Sequence, residues 1–441
     1  MSGGTDSTGL ESPGSASTLR WLALALAALT IFSSYYESDA MGAIADLLIR
    51  QRGFTQSQIG ALTGDMFLPN IVLAALSGVL IDRFGPARVT LWAAVIGVAG
   101  AVVTAIGEPY RLMWAGRLIF GVSEGTIFIS LVAGVARWFG RNEIALAVAL
   151  FLTLARVGSF SLDTSTTWAR PLYERGWQPP LWLGAAITTM GLATAIGFLL
   201  LDRRRAPRTA QPAAGERVRW SDIGTFDLSY WYILGLHVLY AAVFFPFRQT
   251  FAMEYFQHVK GLTNQQAGWV NSGVFFTAVF TTPLFGLLAD RFGHRAMLLT
   301  AGTVLLPLTF IVLGLTDLSP WVSTALMGVS FSLVPAIIWP STTLIVEPRR
   351  LGTALGVITV LQNLGLWASN HVAGWLGDLT HAGPANPAGY ATMLWFFGLL
   401  SLSALTSVAL LWRRERGPRG HGLELPTTRM RARARAHASA S

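Results

Sequence analysis

Long apolar runs, separated by short clusters of Arg, Asp, Gly and Pro, fill the chain from about residue 20 to residue 412. A membrane-spanning helix needs about 20 consecutive, mostly apolar residues. Twelve segments meet that requirement: 20–48, 56–81, 87–107, 111–138, 143–171, 180–202, 227–256, 264–289, 295–315, 320–345, 351–377 and 389–412. Several contain Pro or Gly, which spanning helices tolerate where neighbours satisfy the freed backbone groups. The pattern predicts an all-α polytopic membrane protein with 12 transmembrane helices.

The pattern is also written twice. Gly53-Phe54-Thr55-Gln56-Ser57-Gln58-Ile59-Gly60 returns 208 residues later as Gly261-Leu262-Thr263-Asn264-Gln265-Gln266-Ala267-Gly268. At the same offset Gly78-Val79-Leu80-Ile81-Asp82-Arg83-Phe84-Gly85, followed by Arg88, returns as Gly286-Leu287-Leu288-Ala289-Asp290-Arg291-Phe292-Gly293, followed by Arg295. A repeat this long in so apolar a chain predicts two pseudo-symmetric six-helix bundles, at 19–202 and 226–412. A polar linker at 203–225 joins them. Residues 1–18 read as a disordered N-terminal tail, without the basic start and apolar core of a signal peptide. Residues 413–441 form a basic C-terminal tail. Beyond the third span a weaker echo sets Glu124 opposite Phe331, Arg156 opposite Asn363 and Asp163 opposite Asn370, so charge concentrates in the first half.

Composition sharpens the class. Hydrophobic residues make up 52% of the chain and charged residues 12%, against roughly 25% charged in soluble domains. The net charge of +9 would suit nucleic acid, but its distribution argues against that partner. Sorted by the twelve spans, with residues near a span end counted on the nearer side, 23 of the 32 basic residues fall on the side of the N-terminus, six on the other side and three deep within spans. That asymmetry is the positive-inside pattern and predicts cytoplasmic termini. Arg429, Arg431, Arg433 and Arg435 then read as an anchor to anionic headgroups of the lipid bilayer rather than an RNA-binding tail. The chain has no cysteine, which excludes disulfides and thiolate metal sites. The scarcity of lysine suggests a GC-rich genome and a bacterial inner membrane.

Charges inside spans are the candidate chemistry, because a midplane charge costs at least about 2.5–3.5 kcal/mol and usually faces a cavity or a partner. Glu124 lies near the middle of span four and Arg156 near the middle of span five. Either they serve a solute or they form structural pairs, Glu124 with Arg156 or Arg156 with Asp163. A guanidinium suits a carboxylate as a fixed receptor, and a carboxylate in low dielectric can hold a coupling proton. Arg117, two turns before Glu124, reads as support, proton relay or packing. Arg248 stands just after Pro246, an expected kink, and is a candidate gate against Glu37 or Asp39. Asp65 is expected at the same mouth. Tyr36, Gln362, Asn363 and Trp339 complete the expected solute lining, with Asn370, His371 and Trp367 near it.

The duplicated Gly-x-x-x-Asp-Arg-x-Gly loop resembles the signature of the major facilitator superfamily. Gly78 and Gly286 then permit close helix approach. Asp82 and Asp290 sit near a helix N-terminus. Arg83, Arg88, Arg291 and Arg295, turned by Gly85 and Gly293, pair across the cytoplasmic face as a conformational latch. The finer pattern is similar to the lysosomal dipeptide transporter family (major facilitator superfamily domain-containing protein one) and its bacterial relatives. It rests on Leu68-Pro69-Asn70, Gly116-Arg117, Arg137-Trp138-Phe139, Ala155-Arg156-Val157-Gly158-Ser159, Phe245-Pro246-Phe247, Trp339-Pro340 and Gln362-Asn363-Leu364-Gly365. This implies a zwitterionic solute, with Arg156 on its carboxylate and a span-four acid on its amine. Glu124 stands one residue earlier than that family's glutamate, and matches the Gly-Glu-Gly placement of proton-coupled organic-anion carriers related to sialin. Both transport readings therefore stand, for a monomer moving a small organic solute.

Other chemistries find no motif. A phosphate-cradling Gly-x-x-x-x-Gly-Lys-Ser/Thr is absent, as is any His/Asp/Glu cluster with metal-ligand spacing. The expectation is a carrier and not an enzyme, without a cofactor, the proton being the candidate coupling ion.

Overall fold

A computed structural model describes residues 13–140, 143–205, 220–418 and 420–425. The first half comprises α1 (Pro13–Ser38), α2 (Ala40–Arg52), α3 (Gln56–Gly64), α4 (Leu68–Phe84), α5 (Pro86–Ile106), α6 (Tyr110–Trp138), α7 (Ile144–Trp168), α8 (Arg170–Glu174) and α9 (Gln178–Arg205). The second comprises α10 (Leu228–Pro246), α11 (Ala252–His258), α12 (Asn264–Phe292), α13 (Arg295–Leu315), α14 (Pro320–Ile345), α15 (Leu351–Leu379) and α16 (Tyr390–Glu415). Eleven stretches of helix are long and apolar enough to cross a membrane, and a pair bent by 60°, Gln56–Leu73 and Leu76–Phe84, supplies the expected twelfth. Helix α1 starts inside the segment expected to be a disordered tail. Residues 1–12, most of the expected linker and Arg429–Arg435 lie outside the described residues.

Three spans that read as continuous are broken. Span one is interrupted at Asp39, between α1 and α2. Span two passes through a 3₁₀ turn, Asp65–Phe67, just ahead of Pro69, whose missing N–H prevents a regular helix across it. Span seven widens directly after Pro246 into a π turn at Phe247–Phe251, a rare geometry often found at functional sites. Each break delivers a charged residue: Asp39, Asp65 or Arg248. An apolar stretch stays apolar across such breaks, so hydropathy alone does not reveal them.

The first break is tied by Arg117. Its buried guanidinium donates to the carbonyls of Leu62 (3.1 Å), Glu37 (3.0 Å) and Ser38 (2.8 Å), and lies 3.9 Å from the Glu37 carboxylate. Carbonyls at a helix end lack their intrahelical partner, and Arg117 supplies one. It therefore works as a scaffold tie, and Glu37 is engaged there instead of with Arg248.

The start of α1 and the end of α16 lie at one end of the molecule, here the terminal face; the loops 53–55, 107–109, 259–263 and 316–319 mark the distal end. The repeated motif at that end is local structure. Gly53 and Gly261 adopt left-handed φ of 64° and 66°, a conformation that glycine reaches without strain. Thr55 and Thr263 then open α3 and α12 with capping boxes closed by Gln58 and Gln266. The last glycine of each copy makes the halves meet. A methyl group at Gly60 would strike the Asn370 carbonyl on α15, and one at Gly268 would strike the Asp163 carbonyl on α7. These are pseudo-symmetric contacts, and they bring helices of opposite halves backbone to backbone.

Candidate functional site

Arg156 and Glu124 project from α7 and α6 into the space between the halves, and both are half-buried. The Arg156 guanidinium is ringed by aromatic faces: Tyr35 of α1 at 5.2 Å, Phe331 of α14 at 4.8 Å, Phe275 of α12 at 5.4 Å and Phe245 of α10 at 5.9 Å. Such faces attract a cation but leave the planar N–H edge free to donate. Among the described residues Arg156 makes no hydrogen bond or ion pair. It does not pair with Asp163, and with Glu124 it interacts only through space. Glu124 accepts one hydrogen bond, from the Asn70 amide of α4 at 3.1 Å. The repeat explains part of this wall: Phe331, opposite Glu124 in the pseudo-symmetry, is the nearest ring to Arg156.

The tyrosine of the site is Tyr35, not Tyr36. Tyr36 is buried and turned toward Trp168, 6.5 Å away between ring centroids. Adjacent helical residues differ by about 100° in direction, enough to exchange a cavity for the core. On the opposite wall Gln362 lies 2.7 Å from His237, which packs edge-on against Trp339 at 5.2 Å; His237 carries no repeat or motif signal. Asn363 is buried and donates to the Thr359 carbonyl of its own helix at 2.8 Å. It helps to shape the wall through its helix. Below Arg156, Met66, Phe67, Phe120, Phe245 and Leu366 form an apolar floor from both halves.

Beneath that floor the distal end is sealed by charge. Arg248, presented by the π turn, is buried and pairs with both Asp39 and Asp163. Asn271 donates to Asp163 at 3.0 Å and Gln249 to Asp39 at 2.5 Å. The expected pairing of Arg248 with Asp39 is present, and Asp163 proves to be its second partner. Arg248 also lies 4.2 Å from the centroid of Phe275, so a single ring touches both the gate cation and Arg156. Asp65 accepts from Trp114 (2.7 Å) and from Trp367 across the seam (2.8 Å), with His371 at 3.3 Å. Asp378 of α15 receives the first backbone N–H groups of α3, Gln56 at 2.7 Å and Ser57 at 3.0 Å. A carboxylate at a helix N-terminus satisfies orphan donors and the dipole together.

The terminal face differs. Among the described residues no hydrogen bond or ion pair joins the halves there. Asp82, Arg83, Arg88 and Arg291 are exposed and make neither kind of contact among the described residues. Arg83 and Arg291 rest against the adjacent rings of Phe84 and Phe292. Among the described residues nothing lies close enough to Gly78 or Gly286 for a methyl group to touch, so the helix approach expected of them is missing from this conformation, in which the halves part toward that face. Gly85 and Gly293 do turn the chain, at φ of 83° and 73°. The side chain of Asp290 lies outside the described residues. Arg295 is buried, and residues 420–425 fold back onto its loop: its N–H donates to the Leu423 carbonyl at 3.0 Å.

Comparison with known proteins agrees with this geometry. Residues 24–263 and 233–433 match the family described as Major Facilitator Superfamily. The lysosomal dipeptide transporter MFSD1 of Danio rerio is 30% identical over 398 residues, covering 86% of this chain and 84% of that protein. The crystal structure of the nucleoside transporter NupG superposes with a TM-score of 0.72 at 14% identity, over 88% of this chain and 99% of that one. A bacterial homologue of the human lysosomal transporter Spinster, in an inward-facing and occupied conformation, superposes with a TM-score of 0.68 at 16% identity, over 91% and 98%. The chain belongs to the major facilitator superfamily: it is an integral membrane transporter for a small-molecule solute, and not an enzyme.

Proposed function

We propose that the chain carries a small carboxylate-bearing zwitterion, a dipeptide or amino-acid-like solute, by rocker-switch alternating access. One observation carries this reading. Among the described residues the Arg156 guanidinium is unpaired between the halves, enclosed by aromatic rings and within electrostatic reach of Glu124. A cation in that setting lacks an anion, and its planar fork matches a carboxylate. Glu124, held at one oxygen by Asn70, is left to meet the solute's amine. The naming of the Danio rerio relative supports a dipeptide. With the terminal face cytoplasmic, as the distribution of basic residues argues, the described conformation is open inward. The bacterial inner membrane is the setting we favour, with the protein acting as a monomer.

The test is Arg156→Lys, which retains charge and loses the fork. Affinity for a dipeptide should fall by about 1–3 kcal/mol, and further in Arg156→Ala. A dipeptide amide, lacking the carboxylate, should bind wild type and variant alike. Equal losses for acid and amide in a folded variant would reject the contact. A second reading, a proton-coupled organic-anion symporter, is favoured by the position of Glu124 in Ser123-Glu124-Gly125, where the glutamate falls at the place it takes in the Gly-Glu-Gly of those carriers. Under it, Glu124→Gln should abolish accumulation driven by a pH gradient and spare counterflow exchange. Under the first reading, the same change should weaken zwitterion binding in both assays.

A further inference from the structure

The distal seal contains a second polar cluster, away from Arg156, that neither solute binding nor the Arg248 gate uses. Its core is His258, at the end of α11. The ring's Nε2 lies 2.7 Å from Asp46 of α2, across the seam, and its Nδ1 lies 2.8 Å from the Tyr390 hydroxyl of α16. Tyr390 hydrogen-bonds Glu254, and so does Gln56 of α3. Glu254 is wholly buried, and its second carboxyl oxygen has no hydrogen-bond partner among the described residues. Glu254 and His258 are neighbours on one helix face, 3.5 Å apart.

The repeat shows why this cluster is unlike its counterpart. At the 208-residue offset Asp46 corresponds to Glu254, and Arg50 to His258. Asp46 and Arg50 form an i,i+4 pair at 2.6 Å, the twin of Glu254 with His258. The first half thus carries a base that is always charged, and the second carries a histidine, a side chain whose charge depends on its partners and on pH. The titrating member is the one that reaches across the seam.

Counting donors gives the protonation state. A phenol has one hydrogen, and Tyr390 gives it to Glu254. Its oxygen must then accept from Nδ1 of His258. Asp46, a carboxylate, can only accept from Nε2, so both ring nitrogens carry hydrogen and the ring is an imidazolium. Moving that proton to Glu254 and reversing the Tyr390 hydroxyl leaves the total unchanged. With one proton fewer, one of the three contacts would set two acceptors against each other. We propose that Asp46, Glu254, His258 and Tyr390 form a proton-binding site, separate from the solute cavity, that is complete only when the distal end is closed.

Closure and proton uptake are then one event. Opening moves Asp46 away from His258, the cation loses a carboxylate, and an N–H bond breaks to release the proton to water. The other charged groups nearby are already engaged: Arg50 with Asp46, Asp378 with the start of α3, and Lys260 with the Thr316 carbonyl at 3.3 Å. The expected behaviour is a distal end that closes in acid and opens as pH rises.

The cysteine-free chain allows a direct test on purified protein. Thr166, buried at the distal seam of α7, is replaced as Thr166→Cys and its rate of maleimide labelling is followed from about pH 5 to about pH 9. Exposed Ser319, as Ser319→Cys, corrects for the intrinsic ionisation of a thiol. One linked proton shifts an equilibrium by up to about tenfold per pH unit, so the corrected rate should rise several-fold. His258→Gln and Glu254→Gln, each in the Thr166→Cys background, should flatten that profile at whatever level they set. Either variant decides the matter if the other does not fold. A flat profile in the parent, or a rise that persists in a folded variant, would overturn the site.

Discussion

The two ends of the seam between the halves are built from the same repeat yet behave in opposite ways. At the distal end, Gly60 and Gly268 bring backbones of opposite halves into contact, and Arg248, Asp39 and Asp163 lock them with buried charge. At the terminal face, the repeated Asp-Arg loops stand exposed, with Asp82, Arg83, Arg88 and Arg291 uncommitted among the described residues. The glycines are repeated; the locking charges are not. Symmetric small residues allow the halves to meet, and asymmetric charges decide at which end they are held.

Four comparisons break or sharpen that contrast, taken from the largest expected effect on this conformation to the smallest. Arg248→Ala leaves two carboxylates buried without their cation, a change that costs about 3–5 kcal/mol. Thermal unfolding should show it, and adding Asp39→Asn with Asp163→Asn should recover much of the loss. An unaltered melting temperature in Arg248→Ala would mean that the seal is held by packing alone. Gly60→Ala and Gly268→Ala push helices apart at equivalent contacts and should each cost about 1–3 kcal/mol, the usual range for overpacking. Unequal costs would show that only one of the pseudo-symmetric contacts is under compression.

The smaller effects belong to the terminal face. The His421 ring is raised above its ordinary range by its hydrogen bond to Glu415, 3.0 Å away, despite partial burial. A raised histidine contributes fully below its unfolded value of about 6.5 and loses that contribution as pH climbs through the folded one. The difference in melting temperature between wild type and His421→Gln should therefore be present in mild acid and vanish in alkali. A difference that grows with pH would reverse the assignment. Asp82→Asn comes last: an exposed carboxylate without partners among the described residues should move stability by less than about 0.5 kcal/mol. Solute turnover should nevertheless fall if the loop acts as a latch in the opposite conformation. Turnover equal to wild type would leave the motif with no role beyond topology.

The helical class, the duplication and the division into two bundles were legible from residue order, because a bilayer demands long apolar helices and each span satisfies its backbone internally. Arg156, Glu124 and Arg248 were legible as well, since a charge stands out against an apolar background. Three kinds of information were not. The breaks at Asp39, Asp65 and Phe247–Phe251 leave no mark in hydropathy. The choice of Tyr35 over Tyr36 turns on a rotation of about 100° per residue, which a run of apolar residues does not fix. Partner choice lay furthest from the sequence: Asp163 with Arg248 and not Arg156, Glu37 with Arg117, and Asp46 with His258. Those pairs join residues 80 to 212 positions apart. Local sequence dictates which residues must find a partner in a low-dielectric interior, and only the packing of one half against the other dictates which partner lies within reach.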